Sequence, residues 1–184
     1  SKLATGIVRA VKLLGGGNST REPDVDVEQS VTDALNLLHN KLKRVEVQTH
    51  FAPMPGITAD ITELVQVWSN IIKNATDAME HGGTPAPRIR ISGECCHVQG
   101  VHLLPTEYIS VTIANNGPAI DEENLNKIFN PNFTTKKLGL DFGLGLGLAI
   151  VRRVVDSYNG TIEVRSNDQE TSFTINLPTS QIHG

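Results

Sequence analysis

The sequence predicts an α+β fold: a two-layer sandwich with a mixed, mostly antiparallel sheet packed on about three helices. Three observations point there. Residues 60–80 carry an unbroken apolar stripe at helical spacing. Strand-like alternation recurs in two pairs, at 88–92 with 108–114 and at 161–166 with 171–177. Helical patterns separate the two pairs, an arrangement that favours antiparallel partners and helices gathered on one face of the sheet.

The elements follow in order. Residues 3–14 place Leu3, Ile7, Ala10, Val11 and Leu14 on one helical face, and Gly15-Gly16-Gly17 ends it. So short an amphipathic helix is marginal alone, so residues 1–16 read as the end of a longer helix, with 17–24 as a linker and 25–184 as the main domain. A brief strand is expected at 25–27. Val31, Ala34, Leu35, Leu38 and Leu42 then form a second helical stripe, and Val45-Glu46-Val47-Gln48 alternates as a strand. On the long helix, Ile61, Leu64, Val67, Trp68, Ile71, Ala75 and Ala78 make the stripe to be buried, and Gly82-Gly83 supply the stop. Pro85 and Pro87 lead into the strand at 88–92. A short helix is expected at 121–129 from Asp121, a poorly anchored loop at 130–143, and a helix at about 145–158 ending near Asn159-Gly160. Pro178 closes the final strand.

Composition narrows the function classes. At 184 residues the chain suits one domain with a short appendage. Its net charge of −4 argues against a nucleic-acid or polybasic membrane partner, since both need clustered positive charge. No apolar run is long enough to span a bilayer, and the start of the chain does not read as a signal peptide. Cys95 and Cys96 are adjacent, too close for an ordinary disulfide and too few for a zinc site; a reducing, cytoplasmic setting is expected. Cys95-Cys96-His97 matches a metal cluster only superficially, and a strand with two small residues is the simpler reading.

Four segments carry candidate chemistry. Asn70, Asn74 and Asp77, with His81 beyond them, fall on one face of the long helix, where carboxamides and a carboxylate suit a hard cation or phosphate oxygens. IANNGPAI at 113–120 is a turn at a strand end. IFNPNFTTKK at 128–137 puts two aromatics before hydroxyls and ammonium groups. GLDFGLGLGLAIV at 139–151 spaces Gly139, Gly143, Gly145 and Gly147 into a helix start, where backbone N–H groups can approach an anion. A solvated face, a tight connection and an ordinary surface loop explain the first three singly. No strand leads directly into the glycines, which weakens a dinucleotide reading of the fourth.

Taken together, in this order and spacing, the segments resemble the N, G1, F and G2 boxes of the ATP-binding domain of sensor histidine kinases, within the GHKL superfamily. The resemblance runs from about Val25 to Pro178, on NIIKNATDAM (70–79), FNPNFTTK (129–136), GLGLAIV (145–151), GTIEV (160–164) and SFTINLP (172–178). It implies the GHKL (Bergerat) fold, with ATP between the N-box helix and a mobile lid. Residues 1–16 would be the remnant of the preceding dimerisation helix. It also implies that Asn74 ligates Mg2+, that Asn70 supports the phosphates or a metal-bound water, and that Asp77 lies one turn further on. Asn115 would accept the adenine amino hydrogen, Gly117 would leave room beside the base, and Ile120 and Phe129 would form apolar walls. Thr134, Thr135 and Lys136 would belong to the lid, and the stretch Gly143, Leu144, Gly145, Leu146, Gly147 and Leu148 would meet the phosphates.

The implied activity is transfer of the γ-phosphoryl group of ATP to a histidine on a dimerisation domain, with a response regulator receiver domain as next partner and a homodimeric full-length kinase. No nucleic acid is implied. None of His39, His50, His81, His97, His102 and His183 has the phosphoacceptor's sequence context, and His39 reads as a surface histidine on a helix. In the gyrase, chaperone and MutL branches a Glu stands at the Asn70 position as general base, so an ATPase reading is disfavoured. Three departures from the family pattern favour a second alternative, a degenerate domain serving as an interaction scaffold. Asn115 replaces Asp, Ala119 replaces Gly, and Leu144 replaces Thr or Ser. A neutral in place of a charge-assisted bond to adenine weakens binding by about 1–2 kcal/mol.

Overall fold

The apolar stripes and alternating segments resolve into eleven elements in the computed structural model, which describes residues 20–99, 105–131 and 147–179. In chain order these are β1 (Glu22–Val25), α1 (Val27–Leu37), β2 (Glu46–Phe51), β3 (Ile57–Ala59), α2 (Ile61–His81) and β4 (Arg88–Gln99). Then come β5 (Pro105–Asn115), α3 (Glu122–Leu125), α4 (Gly147–Ser157), β6 (Thr161–Ser166) and β7 (Thr171–Pro178). Five strands form one sheet in the order β2-β4-β5-β7-β6, parallel between β2 and β4 and antiparallel elsewhere. The expected mixed, mostly antiparallel sheet with helices on one face is what the chain builds.

Helix α2 is the keel of the helical layer. Asp60 caps it, accepting the Thr62 N–H at 2.8 Å, and Gly82 ends it. Leu64, Val67, Trp68, Ile71, Ile72, Ala75 and Met79 are no more than 2% exposed. Against them lie alternate residues of the sheet: Ile89 and Ile91 of β4, Ile109, Val111 and Ile113 of β5, and Phe173, Ile175 and Leu177 of β7. The other face is polar, with Arg90 paired to Glu170 and the Thr112 and Thr174 hydroxyls 2.9 Å apart. Trp68 also carries a polar tie, its Nε1 donating to Ser30 Oγ at 2.8 Å, while Ser30 donates to the Val27 carbonyl at 2.6 Å.

Several boundaries differ from expectation, each for a local reason. The brief strand lies at Glu22–Val25, three of its four residues inside the stretch read as linker, and stops short of the expected 25–27 because Asp26 caps α1 by accepting the Gln29 N–H. Helix α1 therefore starts four residues before Val31 and ends at Leu37; Leu38 and Leu42 still pack on the core from the turns that follow. His39 is exposed as expected, but sits in those turns and not on a helix. Strand β3 was not anticipated, since three residues are too few to show an alternation; it pairs with β1, and Ile57 and Ala59 are buried. Ile61 is 42% exposed, so the stripe of α2 begins at Leu64. Strands β4 and β5 run to 12 and 11 residues, well past their apolar halves. The short helix shrinks to Glu122–Leu125 followed by turns.

At the far end of α4, Asn159 adopts φ 54° and the Gly160 N–H returns to the Val155 carbonyl at 3.0 Å. A Cβ on Gly160 would stand 2.4 Å from the Asn176 carbonyl oxygen, so no side chain fits there. The helix expected at 3–14, His102, His183 and most of the glycine-rich segment lie outside the described residues. Among those described, no helix is long and apolar enough to cross a membrane.

Candidate functional site

Three elements converge at the C-terminal half of α2: the helix face carrying Asn70, Asn74 and Asp77, the turn after β5, and the start of α4. Asn70 is the point of closest approach. A Cβ on Gly147, the first residue of α4, would lie 3.8 Å from Asn70 Oδ1. Asn70 Nδ2 is buried and finds no hydrogen-bond partner among the described residues. Leaving such a donor unsatisfied costs about 1–3 kcal/mol, so a buried orphan facing the first described turn of α4 is an unusual feature. Asn74 lies one turn further along, half-buried. Asp77, a turn beyond, is nearly buried and holds Lys41 at 3.4 Å, while the His81 ring Nδ1 sits 2.8 Å from the Asp77 carbonyl.

The turn after β5 forms a second wall. Asn115 is 4% exposed; its Oδ1 accepts the Gly117 N–H at 3.0 Å and its Nδ2 donates to the Thr171 carbonyl at 3.4 Å. Gly117 has no room for a side chain, because a Cβ there would stand 2.9 Å from Asn115 Oδ1 and 3.0 Å from Met79 Cγ. This close approach seats the turn on α2. Pro118 packs likewise on Gly82, whose added Cβ would meet it at 2.8 Å. Ile120 is half-buried, its N–H donating to Ser166 Oγ at 2.8 Å. Phe129 stands edge-on to Phe173 at 6.5 Å, with the Arg152 guanidinium 4.9 Å above its ring.

The structure thus brings together Asn70 with Gly147, and Asn115 and Gly117 with the end of α2. Phe129 and Leu148 join the same layer as half-buried walls packed on the core. Thr134, Thr135, Lys136, Gly143, Leu144, Gly145 and Leu146 lie outside the described residues.

Reading the sequence missed the groups that hold this site in place. Asn116 accepts the Arg88 N–H through Oδ1 and donates through Nδ2 to the Ala86 carbonyl, fixing the turn. Its place in an Asn-Gly turn was the available signal. At the other end of α2, Tyr158 ties the two helices together. Its hydroxyl accepts the Asp60 N–H at 2.9 Å and donates to Glu63 at 2.6 Å, under the Arg21 guanidinium 3.9 Å from the ring. Burial, and the bond to Glu63, push the Tyr158 phenol well above its usual range, so this donor persists at all physiological pH values.

Asn115→Asp is expected to act in opposite directions on nucleotide and fold. If Asn115 meets an adenine, as the resemblance implies, a carboxylate should tighten that contact about tenfold, roughly 1–2 kcal/mol. It also sets an oxygen against the Thr171 carbonyl in a buried position, so the melting temperature of the free domain should fall by a few degrees. Calorimetry with ATP and a thermal melt check the two signs; unchanged affinity would remove Asn115 from the adenine contact.

Comparison with known proteins agrees with this fold. Residues 59–181 match the model of the histidine kinase-, DNA gyrase B- and HSP90-like ATPases. The chain belongs to that family. Sensor histidine kinase ZraS of Salmonella typhimurium is 32% identical over 158 residues, covering 84% of this chain and 30% of ZraS. The C4-dicarboxylate transport sensor protein DctB of Rhizobium meliloti is 34% identical over 154 residues, 82% of this chain and 22% of DctB. The chain therefore spans less than a third of these relatives. Among solved structures, the nucleotide-free catalytic domain of the histidine kinase ThkA superposes with a TM-score of 0.69 at 26% identity, covering 88% of this chain and 99% of that one.

Proposed function

We propose that this chain is the ATP-binding catalytic domain of a cytoplasmic two-component histidine kinase module, which passes the γ-phosphoryl group of ATP to a histidine on a dimerisation domain. The buried, unpartnered amide of Asn70 against the start of α4 carries the reading. It offers a donor and a carbonyl oxygen beside the first described turn of α4, where the glycine-rich segment enters the helix in sequence and backbone N–H groups would favour negative charge. The relatives being sensor histidine kinases supports the same assignment.

In this reading Asn74 and Asn70 supply neutral oxygens of the kind a hard divalent cation takes, and Asn74 is the proposed Mg2+ ligand. Magnesium, when bound, neutralises phosphate charge. The protein's own part is positioning. Gly117 lets the turn lie close on α2 so that its backbone flanks the base, Asn115 accepts the adenine amino hydrogen through the second lone pair of Oδ1, and Phe129 and Ile120 exclude water. Thr134, Thr135 and Lys136, with the glycines from Gly143 to Gly147, complete the phosphate contacts. Asn70 takes no proton at neutral pH, so water is not activated and hydrolysis stays slow, whereas an imidazole attacks the phosphoryl group without a base. The phosphohistidine then supplies a response regulator receiver domain, and the full-length kinase acts as a homodimer.

One observation favours a second reading, the weakly binding scaffold. Both ends of the Asn115 amide are already engaged inside the protein. Labelled ATP separates the two. The chain alone should gain no acid-labile, base-stable phosphate, and addition of the kinase's own dimerisation helices should produce it on their histidine. Labelling of the isolated chain would overturn the location of the acceptor. Absence of labelling with those helices present would support the scaffold.

A further inference from the structure

Beyond the nucleotide cleft, the inward face of the sheet ends in a small cluster of unlike ligands. The antiparallel register of β4 and β5 sets Cys95 opposite Ile109 and His97 opposite Glu107. Ile109 and Leu177 are buried, so the row containing Cys95 is the last of the core, and the row with His97 and Glu107 is the first beyond it. His97 Nε2 lies 3.1 Å from Glu107 Oε2. The Cys95 sulfur joins them, with the three ligand atoms all within 4.8 Å of one another. A His–carboxylate pair across two strands is a common surface contact. The thiol two residues before the histidine changes its character, because alternate residues share a face and Cys95 therefore lines the same patch. Cys96 points to the opposite face.

We propose that Cys95, His97 and Glu107 form a binding site for a zinc-class divalent ion. Thiolate, imidazole and carboxylate are the three ligand types that zinc takes, and a single sulfur already disfavours magnesium and calcium. A thiolate and a carboxylate also balance the two charges of the ion, the thiol proton leaving to solvent as the metal–sulfur bond forms. Ligands on one tetrahedral ion stand about 3.3–3.8 Å apart, so the His97–Glu107 pair at 3.1 Å has to open by a few tenths of an ångström and the sulfur, within 4.8 Å of both, has to draw in by about an ångström. The backbone under Glu107 is held: its carbonyl accepts from both the N–H and the hydroxyl of Thr179, at 3.1 and 3.2 Å. His97 keeps 65% of its side chain exposed, which leaves the fourth position open to water. Cysteine count alone argued against zinc; the pairing of strands brings in the third ligand from a residue ten positions after His97.

The site is separate from the proposed nucleotide pocket. Glu107 and Asn115 lie eight residues apart on β5, roughly 27 Å at strand spacing. Metal binding is therefore readable without any kinase assay. Titration of the reduced chain with Co2+ under nitrogen should give one thiolate charge-transfer band per chain, displaced by Zn2+. Cys95→Ser should abolish the band and Cys96→Ser should keep it. Calorimetry with Zn2+ should show binding at least tenfold weaker in His97→Ala and in Glu107→Gln, and the metal should raise the melting temperature of the unsubstituted and Cys96→Ser chains but not of Cys95→Ser. A band that survives Cys95→Ser, or is lost equally in Cys96→Ser, would overturn the site. So would zinc affinity unchanged by His97→Ala and Glu107→Gln, or no binding at micromolar Zn2+.

Discussion

Asn74→Ala is expected to abolish magnesium-dependent phosphoryl transfer while leaving the domain folded. The side chain is half-buried on the face of α2, one turn from Asn70, so its truncation opens no core cavity. Stability should move by no more than about 0.5 kcal/mol. Losing the side-chain oxygen proposed to ligate the ion should remove charge neutralisation worth several kcal/mol, a drop of about a hundredfold or more in transfer. Asn74→Asp keeps an oxygen ligand and should retain metal-dependent binding. Fused to its dimerisation helices, the Asn74→Ala chain should bind Mg-ATP no better than ATP alone. A variant that labels the acceptor histidine normally would remove Asn74 from the metal site.

Trp68→Ala should be the most damaging single change to the fold, at about 3–5 kcal/mol. Trp68 is fully buried at the centre of α2, and its indole N–H is satisfied by Ser30 on α1. Truncation therefore leaves both a large cavity and a buried hydroxyl without its indole partner. For a chain of this size the melting temperature should fall by roughly 10 °C or more. Ser30→Ala isolates the polar part: it strands the indole N–H and should cost about 1–3 kcal/mol. If Ser30→Ala proved neutral, the contact would be incidental to the packing of α1 on α2.

What the sequence made legible was set by length and period. Helix α2 was readable almost to the residue, since 21 residues of stripe with Asp60 before and Gly82 after leave little choice. The closing strands were equally clear, because Phe173, Ile175 and Leu177 alternate with polar neighbours. Strand β3 was not, because three residues show no period. The outer halves of β4 and β5 escaped for a different reason. Past Gly93, Cys95 and His97 continue the inward face without being apolar, so the alternation fades while the hydrogen-bond ladder continues.

The candidate site divides in the same way. Asn70, Asn74 and Asp77 share a face by helical arithmetic, and the structure keeps them there. The meeting of Asn70 with Gly147, and of the Asn115 turn with the end of α2, is tertiary and could not be read from the helix pattern. The engagement of Asn115 by Gly117 and Thr171, and of Asp77 by Lys41, was invisible, because each joins residues whose proximity depends on the fold. Glu107 beside His97 is the same kind of fact.

Calorimetric titration of the unsubstituted chain with ATP, with and without magnesium, tests the central claim most directly. The account predicts saturable heat with magnesium, weaker than for relatives that carry Asp at the Asn115 position, together with a nucleotide-dependent rise in melting temperature. Absence of both heat and thermal shift at millimolar nucleotide would contradict it, and would leave the Asn70 face as part of a scaffold.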